Sequence, residues 1–132
     1  MAQQYQEDAV QNSSPTTVTT TTETTGVTGN FLNPPFGTCK VVLTGFIALT
    51  VGTGTTTVTL RIRRNPSGEN TIVVNYTLVN VTAGNVVLLP VFGTDALPDG
   101  RSVQYAITVQ QAGATGNGSI VFAFMNAEII SG

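Results

Sequence analysis

Residues 39–64 read CKVVLTGFIALTVGTGTTTVTLRIRR, and their alternation decides the fold class. Cys39, Val41, Leu43, Gly45, Ile47, Leu49 and Val51 share one parity, while Lys40, Thr44 and Thr50 fall on the other. A repeat of two belongs to a β-strand. In the second half Val58, Leu60 and Ile62 alternate with Thr57, Thr59, Arg61 and Arg63. Each strand therefore has one dry face. Gly52-Thr53-Gly54 lies between them and supplies backbone that reaches positive φ without a side-chain clash, so the spacing predicts a hairpin.

Working outward from this stretch, the turn cluster NPSGEN at 65–70 precedes a third long strand, 71–82. Ile72, Val74, Tyr76 and Leu78 share one face of it and Val73, Val79 and Val81 the other, which predicts a strand covered on both sides. Residues 86–92 form the next strand, with Pro90 marking an edge, and 93–100 read as an irregular loop. In 101–110 Val103, Tyr105, Ile107 and Val109 point inward. After a Gly-rich turn at 111–118, residues 119–130 close the chain. Ile120, Phe122 and Phe124 share one face there, with Val121, Ala123 and Met125 on the other. No segment has helical periodicity. The expected fold is an all-β antiparallel sandwich of six or seven strands. Its expected core is Val41, Leu43, Ile47, Leu49, Val58, Leu60, Ile62, Val103, Ile107, Phe122 and Phe124.

Charged residues make up 9% of the chain, against about 25% in an ordinary soluble domain. Thr and Val dominate instead, at 23 and 17 copies. So little charge gives weak protection against association, and the outer surface is expected to be covered by other subunits. There is no His and no Trp, and Cys39 is the single cysteine. That excludes an internal disulfide, Cys/His zinc sites and Cys-His or Ser-His-Asp catalysis. The chain is not read as an enzyme, and no catalytic residue, cofactor or metal is assigned. Asp95 and Asp99 share one loop but lack the dense Asp/Asn pattern of a calcium site. Five basic residues against seven acidic ones argue against nucleic acid as a partner. No apolar run is long enough to span a membrane, and the N-terminus does not resemble a signal peptide, so a cytosol-like compartment is expected until assembly.

Residues 1–25, MAQQYQEDAVQNSSPTTVTTTTETT, differ from the rest. They hold Glu7, Asp8 and Glu23 without a Lys or Arg, and eight of the ten residues 16–25 are Thr. Too few large apolar groups are present to offset ordering, so this stretch is expected to be an extended arm that a neighbouring subunit or another protein holds in place. Residues 26–38 then form a Gly/Pro joint anchored by Phe31, Leu32 and Phe36, and 39–132 the folded domain. A β-branched Thr run favours extended backbone and strand addition. Tyr5, Val10 and Val18 are the apolar side chains the arm can insert into a partner, with Glu7, Asp8 and Glu23 as its acidic contacts. Arg61 and Arg63 are candidates to receive the acidic arm of a neighbour or an acidic capsid surface. On this reading a trimer survives removal of residues 1–25 while attachment to a particle is lost.

The long opening pair VVLTGFIALTVGTGTTTVTLRIRR, the middle stretch LVNVTAGNVVLLPV and the close VQYAITVQQAGATGNGSIVFAFMNAEII together resemble small jelly rolls of the tumour-necrosis-factor-like type. In particular the pattern is similar to small virion proteins of tailed bacteriophages, such as capsid decoration proteins and head or collar fibres. The resemblance covers roughly residues 36–131. It implies a homotrimer that decorates the major capsid shell, or contacts another virion protein, after assembly in the host cytoplasm. The alternative it leaves open is a fibre-tip or lectin-like adhesin that binds a cell-surface glycan.

Overall fold

The computed structural model describes residues 5–34, 39–55, 57–79, 83–97 and 102–130. They form nine strands: β1 (Tyr5–Asn12), β2 (Thr16–Val18), β3 (Thr24–Thr28), β4 (Cys39–Thr50), β5 (Thr57–Arg64), β6 (Thr71–Val79), β7 (Val86–Leu97), β8 (Tyr105–Ala112) and β9 (Gly118–Ile130). One sheet has the order β1-β9-β4-β7, with β2 also on β9, and the other β3-β8-β5-β6. All pairings are antiparallel. A five-stranded and a four-stranded antiparallel layer packed face to face make a jelly roll, an all-β sandwich as the alternation predicts.

Nine of the eleven expected core residues, from Val41 through Ile107, are fully buried between the sheets. Leu89, Val91, Leu97, Tyr105, Ile120, Met125 and Ile129 complete the same cluster.

Several local expectations are corrected by the tertiary arrangement. The stretch 39–64 is not a hairpin, because β4 and β5 belong to different sheets. Two strands with one dry face each satisfy that pattern either side by side or facing each other across a core, and alternation is blind to the difference. Gly52-Thr53-Gly54 makes the crossing. Gly54 has φ +82°, and a Cβ on Gly52 would collide with the carbonyl oxygen of Gly116. The hairpin is β5–β6 instead, turned by Asn65 and Asn70 at φ 51° and 54°.

Residues 5–28, assigned above to an arm and the start of a joint, are strands of the sandwich itself. β1 and β2 run along β9 from Tyr5 opposite Ile130 to Val18 opposite Gly118, interrupted at 13–15. β3 is the outer strand of the second sheet. The order that the Thr-rich stretch lacks in isolation comes from ladder hydrogen bonds to β8 and β9, with Val18 and Val27 placed in the core. The described strands of the sandwich therefore begin at Tyr5, well before Cys39, and end at Ile130.

Strand β6 is expected to be covered on both sides but is the end strand of its sheet, leaving Tyr76 52% and Ile72 45% exposed. β7 is the edge strand that Pro90 announces, and it runs on to Leu97 through most of the expected loop. In β9 the register against β4 slips between Ala48 and Leu49, so Ile120 points inward while Phe122 and Phe124 turn outward. A β-bulge reverses the parity of everything beyond it, which removes both Phe side chains from the expected core. In the joint, Leu32 is buried and bridges Val103, whereas Phe31 is exposed. Phe36 and Asp99 lie outside the described residues.

Candidate subunit interface

The outward slip of β9 builds a large apolar face on the β1-β9-β4-β7 sheet. Register places Val42, Thr44, Phe46 and Ala48 of β4 between Glu128, Asn126, Phe124 and Phe122 of β9 and Thr94, Phe92, Pro90 and Leu88 of β7. Phe46 stacks on Phe122 at 5.5 Å and on Phe124 at 5.7 Å between ring centres. At the rim Val86, Leu88 and Phe92 are 62%, 61% and 69% exposed, and Val121 and Ile130 are exposed too. With ordinary side-chain areas these five residues alone present on the order of 500 Å² of apolar surface, at the upper end of what monomers leave uncovered. Charge on this face is confined to one end, where Lys40 and Glu7 flank the Val42–Glu128 level.

The opposite outer face is polar. Glu23, just before β3, accepts hydrogen bonds from Arg61 Nη1 at 2.8 Å, Arg63 Nε at 2.6 Å, Arg63 Nη2 at 2.9 Å and Thr108 Oγ1 at 2.6 Å. The Arg63 hydrogen bond is the main reason its carboxyl is held down to about 2. Thr108 and the two guanidinium charges add to that, against the opposing cost of burial. An open cleft of about 370 Å³ beside this group is lined by Glu23, Thr25, Arg63, Pro66, Asn70 and Thr108.

A third polar group ties the sheets together. Arg64 Nη1 donates to both oxygens of Asp95 at 2.8 and 2.9 Å, Arg64 Nε donates to Glu69 at 3.0 Å, and the Tyr105 hydroxyl donates to Asp95 at 2.7 Å. Burial pushes the Tyr105 phenol far up, with Asp95 adding to the shift. Burial also works against the charge of Arg64, but Glu69 and Asp95 outweigh it and raise its pKa. Asp95 spends both oxygens on these donors, and among the described residues no group of three Cys, Asp or Glu side chains gathers to hold a metal.

The candidate contact residues thus separate. Val18 is fully buried and Val10 packs half-buried against the core. Asp8 accepts hydrogen bonds from Asn30 N and Nδ2 at 2.8 and 3.0 Å. Arg61 and Arg63 do receive an acidic residue of the Thr-rich stretch, but it is Glu23 of the same chain. Glu7 remains exposed on β1, and Tyr5 pairs with Ile130 through its backbone. Sequence reasoning missed Gln111, which is buried where a Gly-rich turn is expected to begin. Its Oε1 accepts from Gly52 N and Thr55 Oγ1, and its Nε2 donates to the carbonyls of Thr19 and Gly116. Its position two residues beyond Val109, on the inward parity of β8, was the available signal. The outward apolar row Val42, Phe46 and Ala48 was likewise legible in residues 39–64.

No family model and no curated protein matches the chain. Its likeness to solved structures lies in the fold. VP2 in the subviral particle of infectious bursal disease virus aligns with a TM-score of 0.58 at 11% identity, over 97% of this chain and 33% of that one. Particles derived from the same virus, of T=1 type, give 0.61 at 10% identity over 97% and 32%. The Gx strain of that virus gives 0.55 at 13% identity over 98% and 33%. The chain spans about a third of the length of these proteins. What these likenesses share with the chain is the jelly-roll fold, as the strand pattern predicts, and these neighbours are capsid proteins rather than phage decoration proteins. Among the described residues no helix is long and apolar enough to cross a membrane.

Proposed function

We propose that the chain is a structural virion protein, a homotrimeric capsid decoration protein that self-associates through the outer face of the β1-β9-β4-β7 sheet. The observation that carries this reading is the exposed row Val86, Leu88 and Phe92 beside the stacked Phe46, Phe122 and Phe124, on a chain with 9% charge. Burying that surface against copies of itself removes it from water, and its extent approaches the roughly 800 Å² per partner of a standard interface. A fold shared with a protein of viral particles supports the virion setting. Attachment to the major capsid protein then falls to the β1 rim, where Glu7 is exposed, rather than to a detachable arm.

Light scattering on the purified protein is expected to give a multiple of three chains, each of 13.7 kDa. Leu88→Asp with Phe92→Asp should lower that mass threefold, both side chains being exposed and therefore dispensable to the fold. A mass that the double variant leaves unchanged overturns the interface. Peptide mass spectrometry of purified virions should find the chain at fixed stoichiometry to the major capsid protein. The polar cleft beside Glu23 and Asn70 favours one second reading, a glycan-binding adhesin, which binding on a glycan array would support and attachment to capsid shells alone would reject.

A further inference from the structure

The sandwich has four sheet edges, and they are not equally guarded. β1 carries Glu7 and an inward-leaning Asp8, β7 carries Pro90, and β3 is five residues long with a bulge between Thr25 and Val27. Charge, proline, shortness and bulges are the devices that keep an edge from pairing with another chain. β6 has a bulge near its start, where the register against β5 shifts between Ile62 and Arg63, and none of these devices beyond it. From Val74 to Val79 it reads VNYTLV, without a charge, a Pro or a Gly, and among the described residues nothing pairs with its outer side. Asn75, Tyr76 and Thr77 are exposed.

We propose that β6 pairs antiparallel with β6 of a second copy, joining two β3-β8-β5-β6 sheets into one continuous eight-stranded sheet. This goes beyond the trimer interface, which lies on the other sheet, and would link trimers in pairs. The edge is self-complementary. An antiparallel pair related by a two-fold axis normal to the sheet keeps the two core-facing sides together, so residues i and j must share parity. Centring the axis on Tyr76 satisfies that rule and matches chemistry at each level. Tyr76 meets its own copy, Val74 meets Leu78, and Asn75 meets Thr77. Tyr76 lies on the same face as its ladder partner Leu60, which is fully buried, yet is 52% exposed, as a side chain awaiting cover from a neighbouring sheet would be.

The register makes the test sharp. A directly opposed antiparallel pair has Cα atoms about 4.5 to 5.5 Å apart, within disulfide range, whereas residue 75 and its copy are offset by two residues and out of range. Under oxidising conditions Tyr76→Cys should convert most of the protein to a covalent dimer on a non-reducing gel, and Asn75→Cys should not. Asn75→Lys with Thr77→Lys sets like charges opposite each other and should halve the mass in solution. The cross-link at 76 should persist in the Leu88→Asp, Phe92→Asp variant as a two-chain species, which separates this pairing from the trimer contact. Equal cross-linking at 75 and 76, absence of a cross-link at 76, or a mass unmoved by the lysines overturns the proposal. Protection of β6 amides from exchange only when another virion protein is added overturns it in favour of a foreign strand.

Discussion

Arg63 Nε lies 2.6 Å from Glu23 Oε2, so a strand in the middle of the chain is clamped to the end of the Thr-rich N-terminal stretch. Both side chains are about one-fifth exposed, and Arg61 grips the same carboxylate from the adjacent position on that face.

The clamp makes stability depend on acid in a defined window. Glu23 has a folded pKa of about 2 against an ordinary 4.5, so as pH falls the unfolded chain takes up the proton first. The contribution is whole above the ordinary value and drains away between about pH 4.5 and 2. Allowing for solvent screening of a partly exposed group, it amounts to about 1 to 2 kcal/mol. Chemical denaturation as a function of pH should show this slope, and Glu23→Gln should flatten it while lowering stability at pH 7.

Removing residues 1–25 deletes β1 and β2, takes Val18 from the core and strips one side of β9 of its ladder partners. The truncated chain is expected to lose cooperative unfolding and amide dispersion in NMR, rather than persist as a trimer. The single change Val18→Ala should cost about 2 kcal/mol in thermal or urea unfolding.

The Asp95 group links the sheets through buried charge. Asp95→Ala leaves the Tyr105 hydroxyl without its acceptor and Arg64 with Glu69 alone, and should cost about 3 to 5 kcal/mol. Tyr105→Phe removes one hydrogen bond and should cost about 1 kcal/mol. A double-mutant cycle that gives additive effects would show that the two residues act independently.

Gln111 is 1% exposed and fastens the β4–β5 crossing to β2 and to the β8–β9 turn. Gln111→Leu keeps its bulk but leaves Gly52 N–H and two carbonyls unsatisfied, so a loss of about 2 to 4 kcal/mol is expected in denaturant titration. Faster hydrogen exchange at Gly52 should accompany it.

Alternation in residues 39–64 and 101–110 determined by itself that the chain is all-β, and it assigned Val41, Leu43, Ile47, Leu49, Val58, Leu60, Ile62, Val103 and Ile107 to the core. Parity is a local property of extended backbone, and burial follows it wherever a strand is regular. Composition likewise determined the sparse charge and the lack of His that remove the common catalytic constellations. Which strands share a sheet is not a local property. β4 and β5 have the same pattern whether they pair or face each other, so only the assembled sandwich decided that Gly52-Thr53-Gly54 crosses between sheets. The bulge in β9 depends on its partner's register, and it alone turned Phe122 and Phe124 from core into surface and so created the candidate interface. The Thr-rich stretch follows the same rule. Its order comes from hydrogen bonds to β8 and β9, about a hundred residues away in the chain, and a composition that cannot fold alone is no guide to a strand that another strand completes.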